Sequence, residues 1–134
     1  MSFTQLAHIS SAMYHYKATV VRVIDGDTLE VDIDLGFNTT LKKEKLRLLG
    51  IDTPELRSKN LSERVHAQEA KQFVERYCPP GSLIYLRTEK DKKGKYGRYL
   101  AHVTLSTGLD LVEMLVENGF EKKENYDVEE AKGN

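Results

Sequence analysis

Cys78 is the only cysteine in the 134-residue chain. A lone thiol closes no intrachain disulfide and assembles no cysteine-based zinc site. No apolar run approaches the roughly 20 residues that a bilayer-crossing helix needs, so no membrane partner is expected. The segment from Met1 to Tyr16 holds neither Lys nor Arg and no sustained apolar block, which makes it a poor export signal. A cytoplasmic protein is expected, although a processed secreted chain would read the same. A charge excess is missing too: the formal net charge is −1, whereas nucleic-acid binders usually carry a clear positive balance. No two histidines have metal-ligand spacing, no serine sits in a nucleophile elbow, and no glycine-rich phosphate loop occurs.

What is there suits one folded unit. Hydrophobic residues make up 40% and charged residues 31%, the balance of a small domain with a single core. Residues 1–16 show no period and read as a loose N-terminal extension; residues 17–134 form the domain. Charge is also clustered. Lys90, Lys92, Lys93 and Lys95 stand close together, and the stretch from Glu121 to Glu130 is acidic. A local basic patch can meet phosphates even on a neutral protein.

Hydrophobic periodicity predicts a strand from Lys17 to Ile24, an Asp25-Gly26 turn, and a second strand from Thr28 to Leu35. In the latter, Leu29, Val31, Ile33 and Leu35 alternate with polar residues. Gly36 to Glu44 reads as a polar hairpin loop. Arg47 to Ile51 then forms a short buried strand that must stop at Pro54, which lacks an amide hydrogen. Asn60 caps a helix with Glu63 in a capping-box position, and Leu61, Val65, Ala70, Phe73, Val74 and Tyr77 recur along it. Pro79-Pro80-Gly81 ends that helix. Leu83–Thr88 and Tyr99–Leu105 read as two more strands. A second helix starts at Asp110, buries Leu111, Val112, Met114, Leu115 and Val116, and stops at Gly119. Tyr126–Ala131 adds a frayed turn at most. The sum is an α+β, mainly β, fold: a five-stranded OB-fold-type barrel with two to three helices packed on it. This is a barrel size that often binds nucleic acids or oligosaccharides.

The chemistry-bearing residues sit where strands give way to loops. Asp27, Asp52 and Glu55 are hard oxygen donors, with Asp25 nearby, and they suit Ca²⁺ or Mg²⁺ rather than zinc or copper. The Thr53 carbonyl is a further candidate ligand. Solvated turn acids are the plain alternative. Arg47, flanked by Leu46 and Leu48, and Arg98, after the Tyr96-Gly97 turn, are candidates to grip a phosphate bidentately. The alternatives are a structural ion pair for Arg47 and a solvated strand end for Arg98.

Three stretches, Ile24-Asp25-Gly26-Asp27-Thr28, Arg47 to Glu55, and Lys95 to Ala101, together resemble the staphylococcal nuclease (thermonuclease) family from about Ala18 to Phe120. The resemblance implies an OB-fold barrel and Ca²⁺-dependent hydrolysis of DNA and RNA with little sequence preference. It carries calcium ligation onto Asp27, Asp52 and the backbone oxygen of Thr53. It carries catalysis onto Arg47, Arg98 and Glu55, and nucleotide binding onto Lys95 and Tyr96. The family's long C-terminal helix and the tyrosines before it are largely missing, with Tyr126 the one aromatic left in that region. A catalytically inactive nucleic-acid-binding barrel and a protein-interaction barrel are the competing classes. A monomer is expected.

Overall fold

The structure, a computed structural model, describes residues 14–93 and 96–126. Five strands close into a barrel: β1 (His15–Asp25), β2 (Thr28–Gly36), β3 (Thr39–Leu48), β4 (Leu83–Lys93) and β5 (Tyr99–Leu105). Among the described residues two helices accompany them, α1 (Leu61–Tyr77) between β3 and β4, and α2 (Leu111–Glu117) after β5. The order around the barrel is β1-β2-β3-β5-β4, with β4 returning to β1. The β1-β2-β3 meander is antiparallel, and β3 and β5 run parallel. This is the mainly β, five-stranded barrel expected from the sequence. Among the described residues no helix is long and apolar enough to cross a membrane.

Closure needs bent strands, and β1 bends at a bulge. Val20 pairs with Val31 but Arg22 pairs with Glu30, so Val21 is the extra residue. The side-chain alternation changes phase there. Ala18 and Val20 point inward before it and Val23 after it, all buried. Leu29, Val31 and Ile33 of β2, Leu46 and Leu48 of β3, Ile84 and Leu86 of β4, and Ala101 and Val103 of β5 fill the same interior.

Several local expectations shift. The loop expected from Gly36 to Glu44 is mostly strand: β3 begins at Thr39, and the turn is made by Phe37 and Asn38 at φ 51° and 59°. Two successive left-handed residues match the twist of the flanking strands, so a two-residue connection is enough. Polarity suggests a loop because this part of the hairpin is mostly exposed, with only Leu41 and Glu44 partly buried. At the other end, β3 stops at Leu48, and Gly50 turns the chain at φ 89° before Ile51 is buried again. β4 runs on to Lys93 rather than stopping at Thr88.

Helix α1 presents Ala67, Ala70 and Val74 to the barrel, while Val65 and Tyr77 are exposed. The stripe is rotated from the expected one because small alanines let the helix approach the sheet closely. Asn60 caps it by accepting from the Glu63 amide at 3.2 Å. Helix α2 is capped by Asp110 in the same way at 3.0 Å. It buries Leu111 and Leu115 but leaves Val116 exposed. Its end is a Schellman motif: Gly119, at φ 79°, donates to Val116 O, and the Phe120 amide donates to Leu115 O. That motif turns the following segment, residues 119–126, back across the mouth of the barrel.

Candidate active site

Backbone pairing brings the separate stretches together. Thr28 pairs with Arg47 across β2 and β3, and Arg47 pairs with Leu100 across β3 and β5. The Leu48 amide donates to Asp27 O at 2.9 Å and the Leu49 amide to Ala101 O at 3.0 Å. The β1-β2 turn, the end of β3 and the start of β5 therefore meet at one end of the barrel. Inward Leu46 and Leu48 force Arg47 to the other face, where it half-emerges beside the turn acids.

Arg47 is the hub of this end. Its Nη1 donates to the carbonyls of Leu48 at 2.8 Å and Ile51 at 2.7 Å, pinning the turn that follows β3. Its Nη2 lies 3.3 Å from Asp27 Oδ2 and also holds Asp52 Oδ1. The structural ion pair considered for Arg47 is thus present, made with two acids at once. Asp27 is the buried member. Its Oδ2 also accepts from the Thr53 amide at 3.0 Å, and its Oδ1 from the Thr28 hydroxyl at 3.1 Å. Asp25 Oδ1 accepts from the Asp27 amide at 3.1 Å.

The two neighbouring aspartates are driven apart electrically. Burial, and then the adjacent Asp27 carboxyl, push Asp25 up to about 6. Burial pushes Asp27 upward as well, but hydrogen bonds from Asp25 and the Thr53 amide, with the Arg47 charge, outweigh it and hold Asp27 below the usual range. Asp27 stays an anion at neutral pH, with Asp25 partly protonated only on the acid side of neutrality.

Arg98 approaches from the β5 side, its Nη1 3.4 Å from Thr28 Oγ1 and its guanidinium 5.1 Å from the Tyr96 ring centroid. Tyr96 is exposed. Lys95 lies outside the described residues. Lys93, from the same basic cluster, is paired with Glu44 at 3.3 Å and lies 5.4 Å from the centre of the Tyr99 ring.

The Glu55 carboxylate projects into solvent, while its amide donates to Glu63 Oε2 at 2.9 Å. Glu63 was expected to reach back and close a capping box. Instead its carboxylate takes the Glu55 amide and, at 2.9 Å, the Ser58 hydroxyl, clamping the loop that carries Glu55 onto the start of α1. Burial raises Glu63, but the Glu55 amide, Ser58 and the Lys122 ammonium outweigh it, so its carboxyl sits below the ordinary glutamate range.

Sequence reasoning missed Lys122. Its Nζ lies 3.5 Å from both Glu55 Oε1 and Glu63 Oε2, and its amide donates to Asp52 O at 2.7 Å. Burial lowers Lys122 slightly, yet the two glutamates outweigh that and hold it above its usual value. No local pattern marks a lysine in an acidic stretch as a neighbour of Glu55.

Two adjoining clefts result. One of about 670 Å³ is lined by Asp25, Asp27, Arg47, Asp52, Glu55 and Arg98, among others. The second, about 810 Å³, continues over Leu49, Tyr96, Leu100 and Glu121–Glu124. Arg47, Asp52, Arg98 and Lys122 line both. The first cleft gathers Asp27, Asp52, Thr53, Glu55, Arg47 and Arg98 from three separate parts of the chain.

Among the described residues, no three of His, Cys, Asp and Glu gather into a ready cation site. Two do converge. Asp27 Oδ2 and Asp52 Oδ1 both contact the same Arg47 nitrogen, so a positive charge already sits between them. Carboxylate oxygens at such a point fit a hard divalent cation that keeps water or backbone oxygens as its other ligands.

The staphylococcal nuclease homologue family model matches residues 45–133. The thermonuclease of Staphylococcus hyicus is 36% identical over 107 residues, covering 80% of this chain and 59% of its own length. That of Staphylococcus intermedius is 34% identical over 98 residues, covering 73% of this chain and 54% of its own length. Endonuclease YncB of Bacillus subtilis is 32% identical over 103 residues, covering 77% and 46% respectively. This chain thus spans about half of the length of these relatives.

Proposed function

This chain belongs to the staphylococcal nuclease family, and on that premise we propose that it hydrolyses phosphodiester bonds of DNA and RNA with little sequence preference, assisted by Ca²⁺. The observation that supports this most is the single cleft that brings Arg47 and Arg98 together with Asp27, Asp52 and Glu55. Attack on a phosphodiester builds negative charge on the phosphoryl oxygens. Arg47 faces the cleft from β3 and Arg98 from just before β5, each bringing a planar guanidinium suited to phosphate oxygens. Donors fixed before the reaction stabilise that charge without reorganising, which is usually the largest part of catalysis.

Asp27 and Asp52 would hold the cation, with the Thr53 carbonyl as a further ligand. A bound Ca²⁺ would supply further charge stabilisation beside the arginines. Glu55, on an exposed side chain at the cleft rim, would orient the attacking water and take its proton. Tyr96 and Lys95 would contact a neighbouring part of the nucleotide chain. Contacts of this kind go to phosphate and sugar, which carry no base information, hence the lack of sequence preference.

The test is degradation of plasmid DNA and of RNA by the pure protein in Ca²⁺, Mg²⁺ or chelator. Cleavage is expected with Ca²⁺ and lost with chelator. Glu55→Gln should lower the rate by on the order of 10² to 10⁴, and Arg98→Ala by about as much. Parent-like cleavage by both variants would sink the assignment.

A further inference from the structure

We propose that Lys122 is a positioning residue for Glu55, fixing its carboxylate at the rim of the cleft; the proposal rests on the nuclease reading. Glu55 has three rotatable side-chain bonds and a side chain 69% exposed, so left alone it would sample many orientations. Lys122 closes a ring that narrows this freedom. Glu63 Oε2 accepts the Glu55 amide at 2.9 Å, and the same oxygen lies 3.5 Å from Lys122 Nζ. That ammonium lies 3.5 Å from Glu55 Oε1. One buried carboxylate thereby references both the backbone of Glu55 and, through the lysine, its side chain.

Lys122 is itself held. Its amide is bonded to Asp52 O at 2.7 Å, so its main chain is fixed to the loop that carries the aspartate. The segment on either side is fastened to α1. His66 Nε2 donates to Gly119 O at 2.7 Å, and His66 Nδ1 pairs with the Tyr126 hydroxyl at 2.8 Å. Phe120 packs on Phe73 with centroids 5.0 Å apart. The lysine thus projects from a docked strap, not from a loose tail. Among the described residues it is the one cation ion-paired with the Glu55 carboxylate. A proton acceptor held in one geometry is worth far more than a mobile one, and small misplacements cost large factors in rate.

The experiment compares steady-state DNA cleavage by the parent, Lys122→Met, Lys122→Arg, Glu55→Gln and the Lys122→Met/Glu55→Gln double variant, in saturating Ca²⁺. Thermal melting of each is followed by circular dichroism. Lys122→Met should lower kcat about tenfold with KM changed less than about twofold, and Lys122→Arg should recover most of the loss. In the Glu55→Gln background the lysine substitution should cost nothing further, because its effect passes through that carboxylate. An unchanged kcat overturns the proposal. So does a change confined to KM, which would make Lys122 a substrate contact. A kcat loss that repeats in the Glu55→Gln background, with or without a fall in melting temperature, overturns it as well. A parent protein that cleaves under no condition overturns the nuclease reading instead, and this proposal with it.

Discussion

Arg47 and Arg98 should be equivalent for catalysis but unequal for stability. Arg47 donates to two carbonyls at 2.8 and 2.7 Å and neutralises Asp27, whose side chain is only 11% exposed. Hydrogen bonds from a charged donor contribute about 1.5–3 kcal/mol each, and a buried carboxylate stripped of its partner costs more. The contact to Asp52 adds little, since that side chain is 81% exposed. Regained solvation of the removed guanidinium's surroundings offsets part of the loss, leaving a net cost of about 2–4 kcal/mol for Arg47→Ala. In a domain of this size that is a fall in melting temperature on the order of 10 °C. Arg98 has one hydrogen bond at 3.4 Å and the face of an exposed Tyr96, so Arg98→Ala should cost at most about 1 kcal/mol. Arg47→Lys keeps the charge but not the fork that spans both carbonyls, and should recover less than half of the lost stability. Circular dichroism melts in chelator, without nucleic acid, read this directly. Arg47→Ala and Arg98→Ala melting within about 2 °C of one another would refute the view that Arg47 also braces the turn.

Gly26→Ala should destabilise by about 1–3 kcal/mol, read as a lower urea midpoint, because the new methyl would lie 2.8 Å from Thr53 Oγ1 and 3.0 Å from the Ala70 Cβ. An unchanged midpoint would mean that the turn is not wedged between that loop and α1. Gly119→Ala should cost about 1 kcal/mol through its left-handed backbone at φ 79°. The same melts should show it. Glu63 gives the acid dependence. Its folded value lies below the ordinary one, so its contribution is complete above the ordinary glutamate range and lost as pH falls through the depressed value. Glu63→Gln should therefore flatten the acid limb of the stability curve, and an acid limb of unchanged slope would contradict the Glu63 clamp.

Much of the architecture could be read residue by residue because it depends on local patterns. The alternation in Thr28–Leu35 set the inner face of β2, and Asn60 and Asp110 marked both helix starts. Gly119 marked where the second helix had to end, whereas the strand read as running up to Pro54 stops at Leu48. The Gly36–Glu44 segment reads as loop although most of it is strand, since its residues are mostly polar and exposed and Leu41 alone cannot reveal the period. The face of α1 was misjudged for the opposite reason: close packing selected Ala67 and Ala70 over the larger Val65.

The order of residues along the chain determined which groups carry charge and where strands stop, since turn chemistry, capping and period two or 3.6 act over a few neighbours. It held Asp27, Arg47, Asp52, Glu55 and Arg98 as a list without distances. Only closure of the barrel decided that Arg47 bridges two aspartates, that Glu63 clamps the Glu55 loop instead of its own helix cap, and that Lys122 comes to rest beside Glu55. These contacts join residues up to 67 positions apart, in the case of Glu55 and Lys122. Their partners are chosen by the register of β3 against β5 and by the docking of the last segment on α1, neither of which leaves a mark in any local stretch of sequence.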